Sequence, residues 1–137
     1  MARSVNTEAE FENIFITTSK LKKKLESQIE AEVRWRGYSD FKSSFLPLLI
    51  LLYKGGKTSI SISESVGVTK QAVSKVVSEM TELGYLKSQI NKTDRRSTII
   101  LLSAKGKRMA IETRKCYNKL IENYKNLIGR NKYDQMM

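Results

Sequence analysis

The chain has 137 residues, one cysteine, no histidine and a formal net charge of +11 at pH 7, from 25 basic and 14 acidic side chains. That length suits one domain, or one domain with helical extensions, and buries a moderate core. The composition excludes an internal disulfide, argues against a zinc site of nitrogen and sulfur ligands, and leaves no histidine to act as a base. No G-x-x-x-x-G-K-[ST] or G-x-G-x-x-G loop and no clustered carboxylate pair occurs, so the sequence predicts no catalytic residue, no metal and no cofactor. The longest apolar run, Phe45 to Tyr53, is too short to span a bilayer and is interrupted by Pro47. The N-terminus lacks the layout of a signal peptide, and the lone Cys116 fits a reducing compartment; a cytoplasmic protein is expected.

The charge is unevenly spread. Residues 1–40 hold seven basic and seven acidic side chains, residues 41–106 ten and four, and residues 107–137 eight and three. A cationic excess over the middle and end points to a polyanion partner. A membrane surface fits less well, because the cations do not gather on one amphipathic helix opposite bulky apolar residues.

Thr7-Glu8-Ala9-Glu10 reads as a capping box opening a helix that runs to about Arg36. Phe11, Ile14, Phe15, Thr18, Leu21, Leu25, Ile29 and Val33 recur every three or four residues along it. At ~1.5 Å per residue such a helix is roughly 45 Å long, more than a small core covers, so a second subunit is the expected partner of its stripe. Gly37 closes it. A buried helix is expected from Ser43 or Ser44, with serine as its cap and Pro47 in the first turn, to Tyr53 or Lys54, stopped by Gly55-Gly56. Thr58 is the expected cap of a short helix over residues 59–66, with Ile60, Ile62 and Val66 inward. Gly67-Val68 then turns into the helix Thr69 to Gly84.

That last helix carries Ala72, Val73, Val76, Val77, Met80 and Leu83 as one apolar stripe. Its opposite face presents Thr69, Lys70, Gln71, Ser74, Lys75 and Ser78, with carboxylates only further along at Glu79 and Glu82. Lysine donates to guanine O6 or N7, glutamine pairs with adenine N6 and N7, and serine adapts to either, so this face suits a DNA major groove. An ordinary solvated helix face is the alternative. Two strand-like runs follow, Tyr85 to Ile90 and Thr98 to Leu102, joined by Asn91 to Ser97. The joined runs make a hairpin with a cationic tip. Lys92, Arg95 and Arg96 there can reach phosphate or a narrow minor groove, unless Asp94 neutralises an arginine. Short helix, tight turn, longer helix and hairpin together form a winged helix-turn-helix, which makes double-stranded DNA the expected partner. Ser103 caps a second long helix. Met109, Cys116, Tyr117, Leu120, Ile121, Tyr124, Leu127 and Ile128 mark one of its faces, and Gly129 is its stop. The remainder reads as a short helix or a frayed end.

These residues resemble the MarR family of bacterial winged-helix regulators, from about Tyr38 to Gly106. The strongest parts are VTKQAVSKVVSEMTELGYL, the wing TDRRS, and LSAKG, where the family has leucine, threonine or serine and then a glycine. The resemblance implies a mostly helical chain with a small β-wing. Residues 38–102 would be the DNA-binding lobe, and residues 7–37 and 103–137 would supply interlocking helices of a homodimer on a pseudo-palindromic site. It places the family's Asp-x-Arg wing signature on Asp94, which would brace the wing, and Arg96, which would enter the minor groove. Asn91 and Lys92 stand where the family usually has Asp-Pro. Family members are commonly relieved by a small aromatic ligand between platform and lobe, or by cysteine oxidation. Trp35, Tyr38, Phe41 and Phe45 gather at that joint as candidates for an aromatic-lined pocket, or as plain core. Arg114 and Lys115 flank Cys116, and a buried packing cysteine is the reading adopted for it. The function expected is a DNA-binding regulator of transcription, acting most often as a repressor. A winged-helix module that binds an acidic protein or structured RNA is the alternative.

Overall fold

The computed structural model describes residues 7–136, with all their side chains except those at 128, 133 and 136. Six α-helices and a three-stranded sheet follow in the order α1 (Thr7–Trp35), a 3-10 turn (Ser43–Phe45), α2 (Leu46–Leu52), β1 (Lys57–Thr58), α3 (Ser59–Val66), α4 (Lys70–Glu82), β2 (Leu86–Ile90), β3 (Thr98–Leu102), α5 (Ala104–Ile128) and α6 (Arg130–Met136). Helices dominate and the sheet is small, as expected of a winged helix. α1 already includes Thr7, the residue expected to cap it.

Several boundaries follow from capping chemistry. Thr58 accepts from the Ser61 amide at 3.2 Å, Thr69 from the Ala72 amide at 3.1 Å, and Ser103 from the Gly106 amide at 3.0 Å. Each satisfies an N–H that a helix start leaves unpaired. α4 ends in a Schellman closure: the Gly84 amide reaches the Thr81 carbonyl at 3.0 Å and the Tyr85 amide reaches Met80 at 2.8 Å, with Gly84 at φ 83°. The expected serine cap of α2 is not made. The Ser43 amide instead donates to the Glu30 carboxylate of α1 at 3.0 Å, and Pro47 sits in the first turn, where its missing N–H costs little.

The two strands of the wing pair antiparallel with Leu86 opposite Leu102 and Ile90 opposite Thr98. A third strand escaped the sequence reading. Lys57 and Thr58 pair with Ile100 and Ile99, giving the order β1-β3-β2. Two residues are too few to show a period of alternation, and the strand exists because β3 offers it an edge.

The core lies under α2, α3, α4 and the sheet. Phe41 and Phe45 meet edge to face with centroids 6.0 Å apart, and Phe45 stands 6.4 Å from Tyr85. Leu48, Leu49, Leu52, Ile62, Val73, Met80, Leu86, Ile100 and Leu102 close around them. α1 contributes only Ile29 and Val33, and α5 contributes Met109, Ala110, Thr113 and Cys116. The burial patterns depart from expectation in three helices. In α4, Ala72 is exposed although Val73 and Met80 are buried, so the stripe starts one residue later than its apolar spacing suggests. Ile60 of α3 is 52% exposed, because α3 is short and only Ile62 reaches the centre. α2 is not covered all round; Ile50 and Tyr53 face outward.

Candidate nucleic-acid interface

The exposed face of α4 brings Lys70, Gln71, Ser74, Lys75 and Ser78 together, all solvent-accessible. Thr69 stands at the head of that face as N-cap, its hydroxyl committed to the Ala72 amide. The buried face, Val73 and Met80 with Val76, Val77 and Leu83 half-buried behind them, fixes which way the polar face points. Glu79 does not compete with the cations, since Lys42 pairs with its carboxylate. The turn before α4 is held by Gly67 at φ 71°, a left-handed conformation that favours glycine, and by the Ser63 hydroxyl donating to the Val68 carbonyl at 2.6 Å.

At the wing tip, Asp94 accepts the Arg96 backbone N–H at 3.0 Å, and its carbonyl accepts from the Ser97 amide at 3.1 Å. The aspartate therefore braces the tip through the main chain rather than neutralising a guanidinium. Lys92, Arg95 and Arg96 are exposed. Asn91 is a second brace that the sequence reading overlooked. Its side-chain oxygen accepts from the Thr93 amide at 3.2 Å and hydroxyl at 2.7 Å, and its side-chain nitrogen donates to the Ser97 hydroxyl at 3.0 Å. An asparagine two residues before a threonine is the local signal for such a turn. Asn91 thus organises the position where the family usually has Asp-Pro.

The wing is tied to the platform at the start of α5. The Ser103 amide donates to the Tyr85 carbonyl at 2.9 Å, its hydroxyl to Gly84 at 2.5 Å, and Lys105 reaches the Leu83 carbonyl at 2.8 Å. Gly106 is required here by proximity: a Cβ at that position would run into the Tyr85 carbonyl. Burial, with help from Asp40, pushes the Tyr85 phenol far above its ordinary range, so it remains a hydrogen-bond donor.

Trp35, Tyr38, Phe41 and Phe45 do not line one pocket. Phe41 and Phe45 are fully buried core, Tyr38 is half-buried against it, and Trp35 is 84% exposed. Trp35 borders a different groove, of about 450 Å³, with Gln28, Glu32, Cys116, Lys119 and Asn123 between α1 and α5. Cys116 is buried, and that burial raises its pKa. The cations that act on it are Arg36 and Lys119, not the flanking Arg114 or Lys115. Arg36 bridges α1 and α5, donating to Glu112 at 2.9 Å while lying 3.5 Å from Glu32. This hydrogen bond holds the Glu112 carboxyl below its usual range. A second groove, of about 420 Å³, runs between α2 and α5, lined by Leu46, Leu49, Ile50, Tyr53, Lys54, Ala110, Arg114 and Tyr117. There the Arg114 guanidinium lies 5.5 Å from the centre of the Tyr53 ring.

Among the described residues no cluster of three or more histidine, cysteine or carboxylate side chains could hold a metal, and no helix is long and apolar enough to cross a membrane.

A helix with a cationic outer face beside a braced hairpin defines a winged helix-turn-helix. The sequence profile of the MarR family matches residues 44–97, within the winged lobe, and the fold is like that of MarR transcriptional regulators. A MarR family transcription regulator is similar with a TM-score of 0.80 and 14% identity, over 95% of this chain and 85% of that one. NadR in complex with 4-hydroxyphenylacetate is similar with a TM-score of 0.72 and 14% identity, over 90% and 86%. A ZitR variant from Lactococcus lactis shares 25% identity at a TM-score of 0.59, over 64% of this chain and 60% of that one, so the match spans less than two thirds of ZitR. No curated protein matches the chain.

Proposed function

We propose that the chain is a sequence-specific DNA-binding homodimer that regulates transcription, most simply by occupying a promoter. The observation that carries this reading is the outer face of α4, where Lys70, Gln71, Ser74, Lys75 and Ser78 are presented with no carboxylate among them. Gln71, Ser74 and Lys75 read base edges; Thr69, Lys70, Ser78 and the wing residues Lys92, Arg95 and Arg96 hold backbone or minor groove, which positions the protein without specifying sequence. The dimer reading rests on α1, every residue of which from Thr7 to Lys24 is exposed, including Phe11, Ile14, Phe15 and Leu21. A contiguous apolar stripe of that size marks a protein interface, and the exposed Leu127 at the end of α5 offers more of the same surface.

The ligand reading moves from the aromatic cluster at the joint to the groove between α2 and α5. Its leucines and tyrosines suit an aromatic ring, while Arg114 and Lys54 suit a carboxylate. 4-Hydroxyphenylacetate, named for NadR, is of that chemical class.

Selection of bound sequences from random duplex DNA tests the proposal. The expected product is a pseudo-palindrome with half-sites about ten base pairs apart. Gln71→Ala should relax preference at one position per half-site, where a bidentate contact is worth about 1–3 kcal/mol of discrimination. Enrichment of no sequence, or equal binding of hairpin RNA, would reject it.

A further inference from the structure

Residues 38–43 connect α1 to the lobe, and polar contacts clamp them on both sides. From α1, the Glu30 carboxylate accepts the Ser43 amide at 3.0 Å, and Arg34 donates from Nε to the Phe41 carbonyl at 2.8 Å. Glu30 and Arg34 also pair with each other at 3.0 Å. From the reading side, the Tyr85 phenol donates to Asp40 at 2.5 Å, and Lys42 pairs with Glu79 of α4. Between these points Phe41 is fully buried against Phe45.

The attachments on the reading side, Glu79 and Tyr85, sit on the last turn of α4 and just beyond it. The opposite end of the same helix carries Lys70, Gln71, Ser74 and Lys75. α4 is ~20 Å long at 1.5 Å per residue, so a tilt of about 10° at the anchored end displaces the reading end by ~3 Å, close to one base-pair step. Lys42 and Glu79 are partly exposed, at 52% and 30%, and such pairs contribute little to stability.

We propose that segment 38–43 is a strut through which α1 sets the tilt of α4, with Asp40 and Lys42 as positioning residues that select half-site spacing. This rests on the reading of α4 as the helix that enters the major groove. A dimer must deliver two such helices to successive turns of duplex, about 34–36 Å apart, and a fixed tilt makes it prefer one spacing. Neither residue lies on the outward face of α4 or on the wing.

The test measures the affinity of the full chain for duplexes carrying its selected half-sites at the selected spacing and at one base pair more or less. Wild type should prefer one spacing by tenfold or more. Lys42→Ala and Asp40→Ala should bring the three within about twofold of one another, while the salt slope, the dimer mass and the affinity for unrelated duplex stay unchanged. Lys42→Arg and Asp40→Asn, which keep a donor and an acceptor, should restore the preference. Thermal melting monitors folding. Should Asp40→Ala fail to fold, the more exposed Lys42→Ala still gives the readout. Folded, dimeric variants with the wild-type spacing preference would overturn the strut and leave the DNA-binding reading intact. Absence of any sequence-dependent binding by wild type would overturn both.

Discussion

α1 and α4 are both amphipathic helices with one face left in solvent, yet the faces they leave are opposite in character. α4 buries its apolar residues in its own lobe and presents lysine, glutamine and serine. α1 buries only Ile29 and Val33, near its end, and presents Phe11, Ile14, Phe15 and Leu21. The contrast teaches that amphipathicity alone does not name a partner; the chemistry of the uncovered face does. A cationic, amide-bearing face suits a polyanion, and an apolar one suits protein.

The largest effect should come from breaking the α1 side. Phe11→Asp with Phe15→Asp removes apolar side chains worth about 1.5–3 kcal/mol each when buried. The dimer should weaken by on the order of a thousandfold or more, read by sedimentation, while the lobe's cooperative melting persists. Next in size is the joint between the two regions. Gly106→Ala forces a methyl against the Tyr85 carbonyl and should cost about 1–3 kcal/mol in denaturant unfolding, as overpacking does. On the α4 side, Arg96→Ala should weaken duplex binding and lower the salt slope by about two per dimer, at roughly 0.9 per lost phosphate charge. Unchanged affinity and slope would remove the wing from the interface.

The smallest effect is one of pH. Arg36 lowers the Glu112 pKa in the folded chain, so the unfolded state binds protons at higher pH than the folded state does. The stability this pair contributes is therefore present above the unfolded carboxyl value and is lost as pH falls through the folded one. Glu112→Gln should flatten that acid limb slightly in unfolding curves measured below about pH 5. Cys116 acts in the opposite sense. Its raised pKa keeps it a thiol at neutral pH, and thiol reagents should modify it far faster in denaturant than in the native protein.

The helices up to Gly129, the caps at Thr58 and Ser103, the closure at Gly37, the end of α4 near Gly84, and the wing strands were all legible, because each depends on residues within a few positions of one another. The same holds for the outward face of α4, whose residues share one helical period. What escaped depends on partners distant in sequence. β1 needs β3, Ser43 is capped by Glu30, and Asp40 and Lys42 meet residues 45 and 37 positions away. The aromatic quartet illustrates the limit: Trp35 and Phe41 are six residues apart, but Gly37 turns the chain between them and leaves one in solvent and the other in the core. Gly106 stands between these cases. Its place in LSAKG was visible, but its reason, the approach of the Tyr85 carbonyl, was not.

The central claim, that two chains joined through α1 present two copies of α4 to one duplex, is tested most directly by the sedimented mass of the full chain with and without its selected DNA. The account predicts two chains alone and two chains per duplex, with Phe11→Asp and Phe15→Asp together reducing the free protein to one. A single wild-type chain in both states, binding the selected and a scrambled duplex equally, would contradict it.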